Sequence, residues 1–237
     1  MARVLVTGAS TGVGLGTSSE LIGWGHEVVM HGRKPGRFDG IKGIGGASGF
    51  IYGDLSTLEE TRQADSANQY GPFDAVIHNA GTMNGNLLNS NVAAPYLLSA
   101  LMLRPGRTIV LSSSMDQGGY VNLDHLARIS YSDSKLLVTV LAMPLSRKWQ
   151  GVLSHAVDPG WVPTRMGGAG APDDLIAGHQ TQTWLATAGQ HEIKPSTGGY
   201  WYHKRASRPH PSTLDPAFQD ELIRKLEGYA GVAFPLP

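Results

Sequence analysis

Arg3-Val4-Leu5-Val6-Thr7-Gly8-Ala9-Ser10-Thr11-Gly12-Val13-Gly14 stands near the start of this chain of 237 residues and decides its fold. The apolar run at residues 4–7 predicts a buried strand, and a helix-length segment near residues 14–24 follows the glycines. Glycines at such a junction let the backbone approach a diphosphate, which the free amides at a helix N-terminus favour. The stretch therefore predicts a diphosphate-binding turn between the first strand and the first helix.

The rest of the chain repeats this alternation of strand and helix. Apolar runs at residues 4–7, 27–31, 49–53, 75–78, 108–112 and 153–157 predict strands buried on both faces of a parallel sheet. Crossover helices are expected near residues 14–24, 57–69, 87–103, 131–149 and 173–188, and a last helix at 216–228. The pattern predicts one α/β domain over residues 1–237, a doubly wound, mainly parallel sheet flanked by helices in a three-layer sandwich.

Composition narrows the class of protein. A formal net charge of zero argues against a nucleic-acid partner. The absence of cysteine excludes disulfides, thiolate metal sites and cysteine nucleophiles. Since no apolar stretch reaches ~18 residues, we expect no membrane partner and a cytoplasmic location. We expect no metal site either, because His203 and His210 lack nearby acids and are better explained as solvated surface.

The glycine turn also fits a competing motif. Gly8-Ala9-Ser10-Thr11-Gly12 satisfies Gly-x-Ser-x-Gly, the nucleophile elbow of α/β-hydrolases. That elbow normally follows several strands, whereas only the first predicted strand precedes Gly8 here. A hydrolase with Ser10 as its nucleophile is therefore the disfavoured interpretation.

A second motif carries candidate chemistry. Tyr131-Ser132-Asp133-Ser134-Lys135 follows a triple serine, Ser112-Ser113-Ser114. Residues four apart share one face of a helix, so Tyr131 and Lys135 are expected to point into one cavity. A lysine cation there is expected to lower the pKa of the phenol from its ordinary value near ~10. With a serine hydroxyl to hold a carbonyl oxygen, the pair suits carbonyl reduction or alcohol oxidation.

The Tyr-x-x-x-Lys pattern occurs twice, however. Tyr200-Trp201-Tyr202-His203-Lys204 is the second copy. Spacing alone does not separate the two copies, and the order of the surrounding motifs has to decide.

From Arg3 to about Gly167 the chain resembles the short-chain dehydrogenase/reductase family, whose Rossmann fold is the doubly wound sheet expected above. The matching motifs, in the family's order, are the glycine turn at residues 7–14, Asp54-Leu55, Asn79-Ala80-Gly81, Asn91, the serines at 112–114, Tyr131 with Lys135, and Pro159-Gly160-Trp161-Val162-Pro163-Thr164. The order selects Tyr131, which lies between the serines and the Pro-Gly turn. Tyr200 is then expected in a late strand or in core packing.

The resemblance implies hydride transfer between a nicotinamide and a ketone or secondary alcohol of a small, fairly apolar molecule. It makes Tyr131 the general acid/base, Lys135 its helper and a ribose ligand, Ser113 the group that orients the substrate oxygen, and Asn91 the holder of a water linked to Lys135. Ser112 and Ser114 stay open as alternatives to Ser113. The cofactor-binding residues that it implies are Gly8, Ser10, Thr11, Gly12, Val13, Gly14, Arg33, Asp54, Leu55, Asn79, Ala80, Gly81, Tyr131, Lys135, Pro159, Gly160, Val162 and Thr164.

The cofactor preference rests on the end of the second predicted strand, His31-Gly32-Arg33. NAD-specific relatives usually carry an acid here, whereas the Arg33 guanidinium suits a 2′-phosphate, to which Ser10 could add a hydroxyl. Thr11 argues against NADP(H), because many NADP-dependent relatives have a basic residue at that position. The balance favours NADP(H) over NAD(H).

The chain also departs from the family. Asn91 follows Asn79 by about half the usual distance, so Asn86 or Asn89 could be mistaken for it. Thr17-Ser18-Ser19 are poor helix formers in the first helix. These departures keep open a catalytically impaired, NADP(H)-binding regulatory or scaffold protein.

Expectations for the outer parts of the site are coarser. The glycine-rich stretch after Thr164 predicts a substrate lid at about 164–190, followed by a C-terminal segment at 195–237. Asp173 and Asp174 are expected to cap the helix that follows. Trp161, Met166 and Trp184 are candidates either for an apolar pocket or for core packing. Relatives associate through the helices that carry Asn91 and Tyr131, so a homodimer or homotetramer is expected.

Overall fold

A computed structural model describes residues 1–235, apart from the side chains of residues 64 and 65. All six predicted strands are present, with ends that differ from the prediction by at most one residue. The strands are β1 Arg3–Val6, β2 Glu27–Gly32, β3 Gly49–Tyr52, β4 Ala75–His78, β5 Arg107–Leu111, β6 Leu153–Asp158, β7 Gly199–Tyr202 and β8 Arg205–Ser207. The prediction of a late strand at Tyr200 is confirmed by β7.

The eight strands form one sheet in the order β3-β2-β1-β4-β5-β6-β7-β8. Every neighbouring pair is parallel except β7 with β8, which form an antiparallel hairpin. β1 lies between β2 and β4, so the winding of the chain reverses there. In such a sheet the ligand crevice opens at the carboxyl ends of the strands beside this reversal.

The helices are α1 Gly12–Gly23, α2 Leu58–Gln63, α3 Ala94–Leu101, α4 Tyr131–Lys148, α5 Leu175–Thr187 and α6 Pro216–Ala230. A π-helical segment, Asn89–Ala93, leads directly into α3. This widened turn was not predicted, and it lies where the spacing after Asn79 departs from the family. Such π-bulges are often found at functional sites.

Helices cover both faces of the sheet, which confirms the predicted three-layer α/β fold. Successive strand residues point to opposite faces, and β1 shows this directly. Val4 and Val6 pack in one core with Leu21 of α1, whereas Leu5 packs in another with Leu98 of α3.

The contact between α1 and α5 explains why residues with low helix propensity occur in α1. Gln182 Nε2 of α5 donates to Thr17 Oγ1 at 3.1 Å, and His179 Nδ1 lies 3.2 Å from Glu20 Oε2. The small polar residues of α1 therefore face polar partners across a helix interface. Residues 175–187, which the lid prediction includes, thus form a helix of the outer layer, and only residues 164–174 form a loop at the crevice.

α6 covers the helices through which oligomers were expected to form. Residues 134–145 of α4 are all buried, and Leu222 and Leu226 of α6 share their core. Phe234 continues this cover by stacking on Trp149 at a centroid distance of 5.2 Å. One chain thus already buries much of this face of α4, and the expected homodimer or homotetramer stays a prediction. Within residues 1–235, no helix has the length and apolarity needed to cross a bilayer.

Candidate active site

A cavity of about 960 Å³ opens at the carboxyl ends of β1, β2, β4 and β5. Most of the predicted cofactor residues line it: Gly8, Ser10, Thr11, Gly12, Val13, Gly14, Arg33, Asp54, Leu55, Asn79, Ala80, Gly81, Tyr131, Lys135, Pro159 and Thr164. Four predicted residues, Asn91, Ser113, Gly160 and Val162, are not part of this lining. Val162 is buried under Gly178 of α5.

The glycine turn is shaped by close backbone packing. Gly8 has φ +64°, and a Cβ there would come within 2.9 Å of the Ala80 Cα. At Gly14 a Cβ would lie 2.3 Å from Asn79 Nδ2. That amide nitrogen donates to the carbonyls of Thr7 at 2.8 Å and Gly8 at 3.2 Å. Asn79 therefore holds the turn in shape, a structural role beside the predicted binding role.

The start of α1 fits an anionic group. The first amides of a helix have no intrahelical acceptor. The Thr11 side chain, at the N-cap position of the described helix, makes no capping hydrogen bond to them. Several residues at this helix start line the cavity. Their amides and the positive end of the helix dipole are thus available to a diphosphate.

His31 supports the same turn, a role that no motif in the sequence predicts. The Gly8 amide donates to His31 Nδ1 at 3.3 Å, so the ring proton is on Nε2, which donates to the Gly53 carbonyl at 3.0 Å. Burial lowers the pKa of His31 to about 4. The neutral ring therefore links the ends of β1, β2 and β3.

Three cations line the end of the cavity beyond β2: Arg33, Lys34 and Arg37. The predicted Arg33 is 68% exposed and lies 3.6 Å from Asp54 Oδ2. Although burial opposes it, hydrogen bonds from Ser56 and the charge of Arg33 hold the pKa of Asp54 below its usual value. Sequence reasoning missed Arg37, whose guanidinium donates to Ser10 Oγ at 3.3 Å. We call Arg33, Lys34 and Arg37 the cationic end.

α4 brings Tyr131 and Lys135 together as the spacing predicted. The helix begins at Tyr131 because Ser130 and Asp133 form a capping box at its N-terminus. Lys135 Nζ lies 5.6 Å from the centroid of the Tyr131 ring and donates to the Leu111 carbonyl at 2.7 Å. Both side chains line the cavity.

The predicted direction of the Tyr131 pKa is wrong. Burial raises the pKa of Tyr131 to about 12, against a hydrogen bond with Ser113 that lowers it, and the charge of Asp158 raises it further. Burial also lowers the pKa of Lys135 to about 8, while Asp158 opposes this change. Desolvation outweighs the neighbouring cation, so Tyr131 is a protonated phenol at neutral pH.

The three serines occupy different environments. Ser113 hydrogen-bonds Tyr131, and its Oγ also accepts from the Met115 amide at 3.3 Å. Ser112 is buried, and its hydroxyl bonds Thr139 Oγ1 and lies 3.3 Å from Asp116 Oδ2.

The third serine, Ser114, contributes its backbone amide, which donates to the Asp158 carboxylate. Ser113 is thus the serine whose hydroxyl contacts the predicted catalytic tyrosine.

Asn91 is buried in the π-helical segment near Lys135. The Thr82 amide donates to Asn91 Oδ1 at 2.8 Å, and Nδ2 donates to the Thr82 carbonyl and to Ser134 Oγ, each at 2.9 Å. A Cβ on Gly81 would lie 3.3 Å from Asn91 Oδ1 and 3.4 Å from Lys135 Nζ. The short connection therefore still places Asn91 beside the pair, and its water-holding role stays a prediction.

The second Tyr-x-x-x-Lys forms no such pair. Tyr200 is buried in β7, and Lys204 lies in the turn of the β7–β8 hairpin, where its amide donates to Thr181 Oγ1. Residues four apart share a face in a helix, whereas this pair is divided between a strand and a turn. The structure therefore agrees with the choice of Tyr131.

The loop after β6 brings an apolar side chain onto the phenol. Met166 Sδ lies 3.9 Å from Tyr131 Oη. Met166 is exposed and lines the cavity, and Trp161 is exposed in the same loop. Trp184 is half-buried and packs against Trp201 of the core. Of the two predicted roles, an apolar pocket and core packing, the first is thus found at Met166 and the second at Trp184.

Of the two predicted helix caps, only one is correct. Asp174 caps α5 by accepting from the Ala177 amide at 2.8 Å. The Asp173 carboxylate accepts instead from the Trp161 amide at 2.6 Å and from the Tyr202 hydroxyl at 3.4 Å. Asp173 therefore ties the loop after β6 to β7.

A doubly wound sheet whose crevice joins a diphosphate turn to a buried Tyr–Lys pair defines a nucleotide-binding α/β oxidoreductase. The chain belongs to the short-chain dehydrogenase family, whose model, described as "short chain dehydrogenase", matches residues 2–174. It is accordingly an oxidoreductase that acts on CH–OH and C=O groups.

Two fungal relatives match the whole chain. It is 33% identical to "Short-chain dehydrogenase chry4" of Gibberella zeae, over 100% of both chains, and 32% identical to "Short-chain dehydrogenase chyC" of Penicillium rubens, over 99% of this chain and 100% of the relative. A solved short-chain dehydrogenase from Burkholderia cenocepacia, in complex with NADP, shares the fold with a TM-score of 0.69 at 20% identity, covering 85% of this chain and 95% of that one.

Proposed function

We propose that this protein is an NADP(H)-dependent oxidoreductase that transfers a hydride between the nicotinamide and a ketone or secondary alcohol of a small, fairly apolar molecule. One observation carries the proposal. A single cavity runs from the glycine turn and the cationic end to Tyr131 and Lys135. A nucleotide held at one end would thus place its reactive group beside an acid/base pair at the other.

The residues present fit such a nucleotide. The turn at Gly8 and Gly14 allows close backbone approach, and the uncapped start of α1 offers amides to the diphosphate. Arg37 and Ser10 form a paired donor set for a 2′-phosphate, and Arg33 adds charge beside it. A guanidinium binds phosphate with directed, charge-assisted hydrogen bonds. These contacts support NADP(H) over NAD(H), and the Burkholderia cenocepacia structure was solved with NADP.

The chain's own groups supply the proton chemistry. Bound NADPH would supply the hydride. Because the pKa of Tyr131 is about 12, its hydroxyl is protonated at neutral pH and can donate a proton to a ketone oxygen. Ser113, whose hydrogen bond lowers the pKa of Tyr131, would donate to the same oxygen. Lys135, whose ammonium lies 5.6 Å from the centroid of the Tyr131 ring, would stabilise the phenolate that remains.

The protonation states also support a direction. A protonated phenol is the form that reduction consumes, whereas oxidation of an alcohol needs the phenolate. Burial of Tyr131 keeps the phenol in the form from which reduction starts. The name of one relative agrees: the "Putative daunorubicin C-13 ketoreductase DnrU" of Streptomyces is 28% identical over 92% of this chain and 89% of its own length.

The test is NADPH oxidation with a panel of ketones, aldehydes and quinones, on the wild type and two matched variants. Tyr131→Phe is expected to lower kcat by ~10²–10⁴-fold, the range for a lost general acid, with NADPH affinity largely intact. Tyr200→Phe, which trims the tyrosine of the second motif, is expected to keep turnover. Tight NADPH binding without tyrosine-dependent turnover of any compound would instead favour the catalytically impaired binding protein.

A further inference from the structure

Four exposed apolar side chains follow the carboxyl ends of the strands at the reactive end of the cavity, and two of them, Met83 and Met166, line it. Met83 follows β4, Met115 follows β5, and Trp161 and Met166 follow β6, so all four lie at the carboxyl edge of the sheet. Their exposed fractions are 41%, 48%, 61% and 47%. We call these four residues the apolar rim. Exposed apolar groups gathered at one place mark a binding surface more often than exposed groups that are scattered singly.

The rim is continuous with the catalytic groups. Met166 Sδ lies 3.9 Å from Tyr131 Oη, and Met83 lines the same cavity as both residues. The Met115 amide donates to Ser113 Oγ at 3.3 Å, so its side chain leaves the chain two residues after that serine. A molecule whose oxygen reaches Tyr131 and Ser113 would therefore contact the rim with the rest of its body.

Trp161 is held with its rings exposed. Its backbone amide donates to Asp173 Oδ2 at 2.6 Å, and its indole N–H donates to the Gly167 carbonyl at 2.8 Å. The polar edge of the indole is thus already satisfied by the protein. What remains exposed is aromatic surface, which stacks well against another aromatic ring.

The three methionines favour the same kind of ligand. Methionine side chains are flexible and adapt to irregular apolar shapes, and a thioether sulfur makes favourable contacts with aromatic rings. An exposed indole and three thioethers at one edge of the sheet suit a flat aromatic body better than a flexible alkyl chain, which loses more conformational entropy on binding. We propose that the substrate is an aryl ketone, or the matching secondary alcohol, whose rings lie on the apolar rim while its oxygen reaches Tyr131.

This inference rests on the proposed function and names its substrate class. In the reaction, a hydride from NADPH would form the new C–H bond at the carbonyl carbon, and the Tyr131 proton would form the O–H bond. The products are the aryl alcohol and NADP⁺, and Tyr131 regains its proton from solvent.

The experiment compares ketones of equal carbon number: acetophenone with 2-octanone, and 2-acetonaphthone with 2-dodecanone. For the wild type we expect kcat/KM to favour the aryl member of each pair by ~10-fold or more, from stacking and sulfur–aromatic contacts. Trp161→Ala is expected to remove most of that preference with the KM for NADPH unchanged. Trp24→Ala, which trims a tryptophan 54% exposed at the end of α1, is the matched control and should keep the preference.

Equilibrium binding of 2-acetonaphthone, measured by titration calorimetry with NADP⁺ present, separates the two proposals. If the protein binds 2-acetonaphthone, if Trp161→Ala weakens that binding, and if no ketone is turned over, the rim assignment stands and the proposed function is wrong. Turnover with equal preference for aryl and alkyl ketones, or an equal loss in Trp161→Ala and Trp24→Ala, overturns the rim assignment. A lower mass in solution for Trp161→Ala alone would show instead that the rim contacts a second copy of the chain.

Discussion

The two ends of the cavity differ in almost every physical respect. The cationic end consists of charged side chains fixed by polar contacts, such as Arg37 on Ser10 and Arg33 beside Asp54. The apolar rim consists of a tryptophan and three methionines, of which Met166 touches Tyr131. An anion is recognised by directed charges, whereas an apolar body is recognised by surface and shape. Under the proposed function, one cavity would therefore bind an anionic cofactor at one end and an apolar substrate at the other, and bring the two together at Tyr131.

The largest effect is expected where the two ends meet. Ser113→Ala removes a hydroxyl that contacts Tyr131 and is expected to lower kcat for ketone reduction by ~10²–10³-fold, as for a lost oxyanion donor. Ser112→Ala is the matched variant. Because the Ser112 hydroxyl is buried against Thr139 and Asp116, its loss is expected to cost about 1–3 kcal/mol of stability with little change in kcat. Steady-state rates and urea denaturation of both variants check this, and the opposite pattern would move the catalytic role to Ser112.

A smaller effect is expected at the cationic end alone. Arg37→Ala removes a guanidinium from the Ser10 hydroxyl, and losing one charged hydrogen bond of about 1.5–3 kcal/mol corresponds to ~10–100-fold in the KM for NADPH. The KM for NADH should not change, because NADH has no 2′-phosphate. Arg33→Asp is expected to shift the preference in the same direction by repulsion. Equal KM values for the two cofactors in the wild type would contradict the NADP(H) assignment.

The last prediction concerns stability rather than activity, and it involves the cofactor end through His31. Burial lowers the pKa of His31, His78 and His155 to about 4 each. A group whose folded pKa is below its unfolded value of ~6.5 binds fewer protons when folded, so stability falls as pH drops from about 6.5 to 4. The expected slope is about 1.4 kcal/mol per pH unit for each fully coupled histidine.

Urea denaturation at pH 7, 6 and 5 measures this dependence. The free energy of unfolding is expected to decrease at each step, and His78→Gln should reduce the decrease. A free energy that stays constant over this range would show that the buried histidines do not carry the acid sensitivity.

Much of the fold could be predicted because buried parallel strands are short apolar runs. The six runs in the first two thirds of the chain became β1 to β6 with nearly the predicted ends. The motif order also selected Tyr131 over Tyr200, since a lysine four residues on is a neighbour only in a helix. The serine register was left open, because sequence does not show which hydroxyl of a strand end faces a cavity.

The remaining features depend on contacts between segments distant in sequence. Arg37 lies in an irregular loop, and nothing in its neighbours shows that it reaches Ser10, 27 residues away. The π-helical turn at Asn91 and the polar partners of α5 are likewise set by packing. The direction of the Tyr131 pKa was predicted wrongly because the sequence displays the nearby charge of Lys135, whereas the larger influence, burial, exists only in the folded chain.

The two ends of the cavity are proposed to bind the cofactor and the substrate separately, and a single set of initial rates can test this division. NADPH and 2-acetonaphthone are varied together for the wild type, Arg37→Ala and Trp161→Ala. We expect Arg37→Ala to raise only the KM for NADPH, and Trp161→Ala to raise only the KM for the ketone. If both variants raise both constants together, or if Trp161→Ala acts on NADPH instead, the division of the cavity into a cofactor end and a substrate end is contradicted.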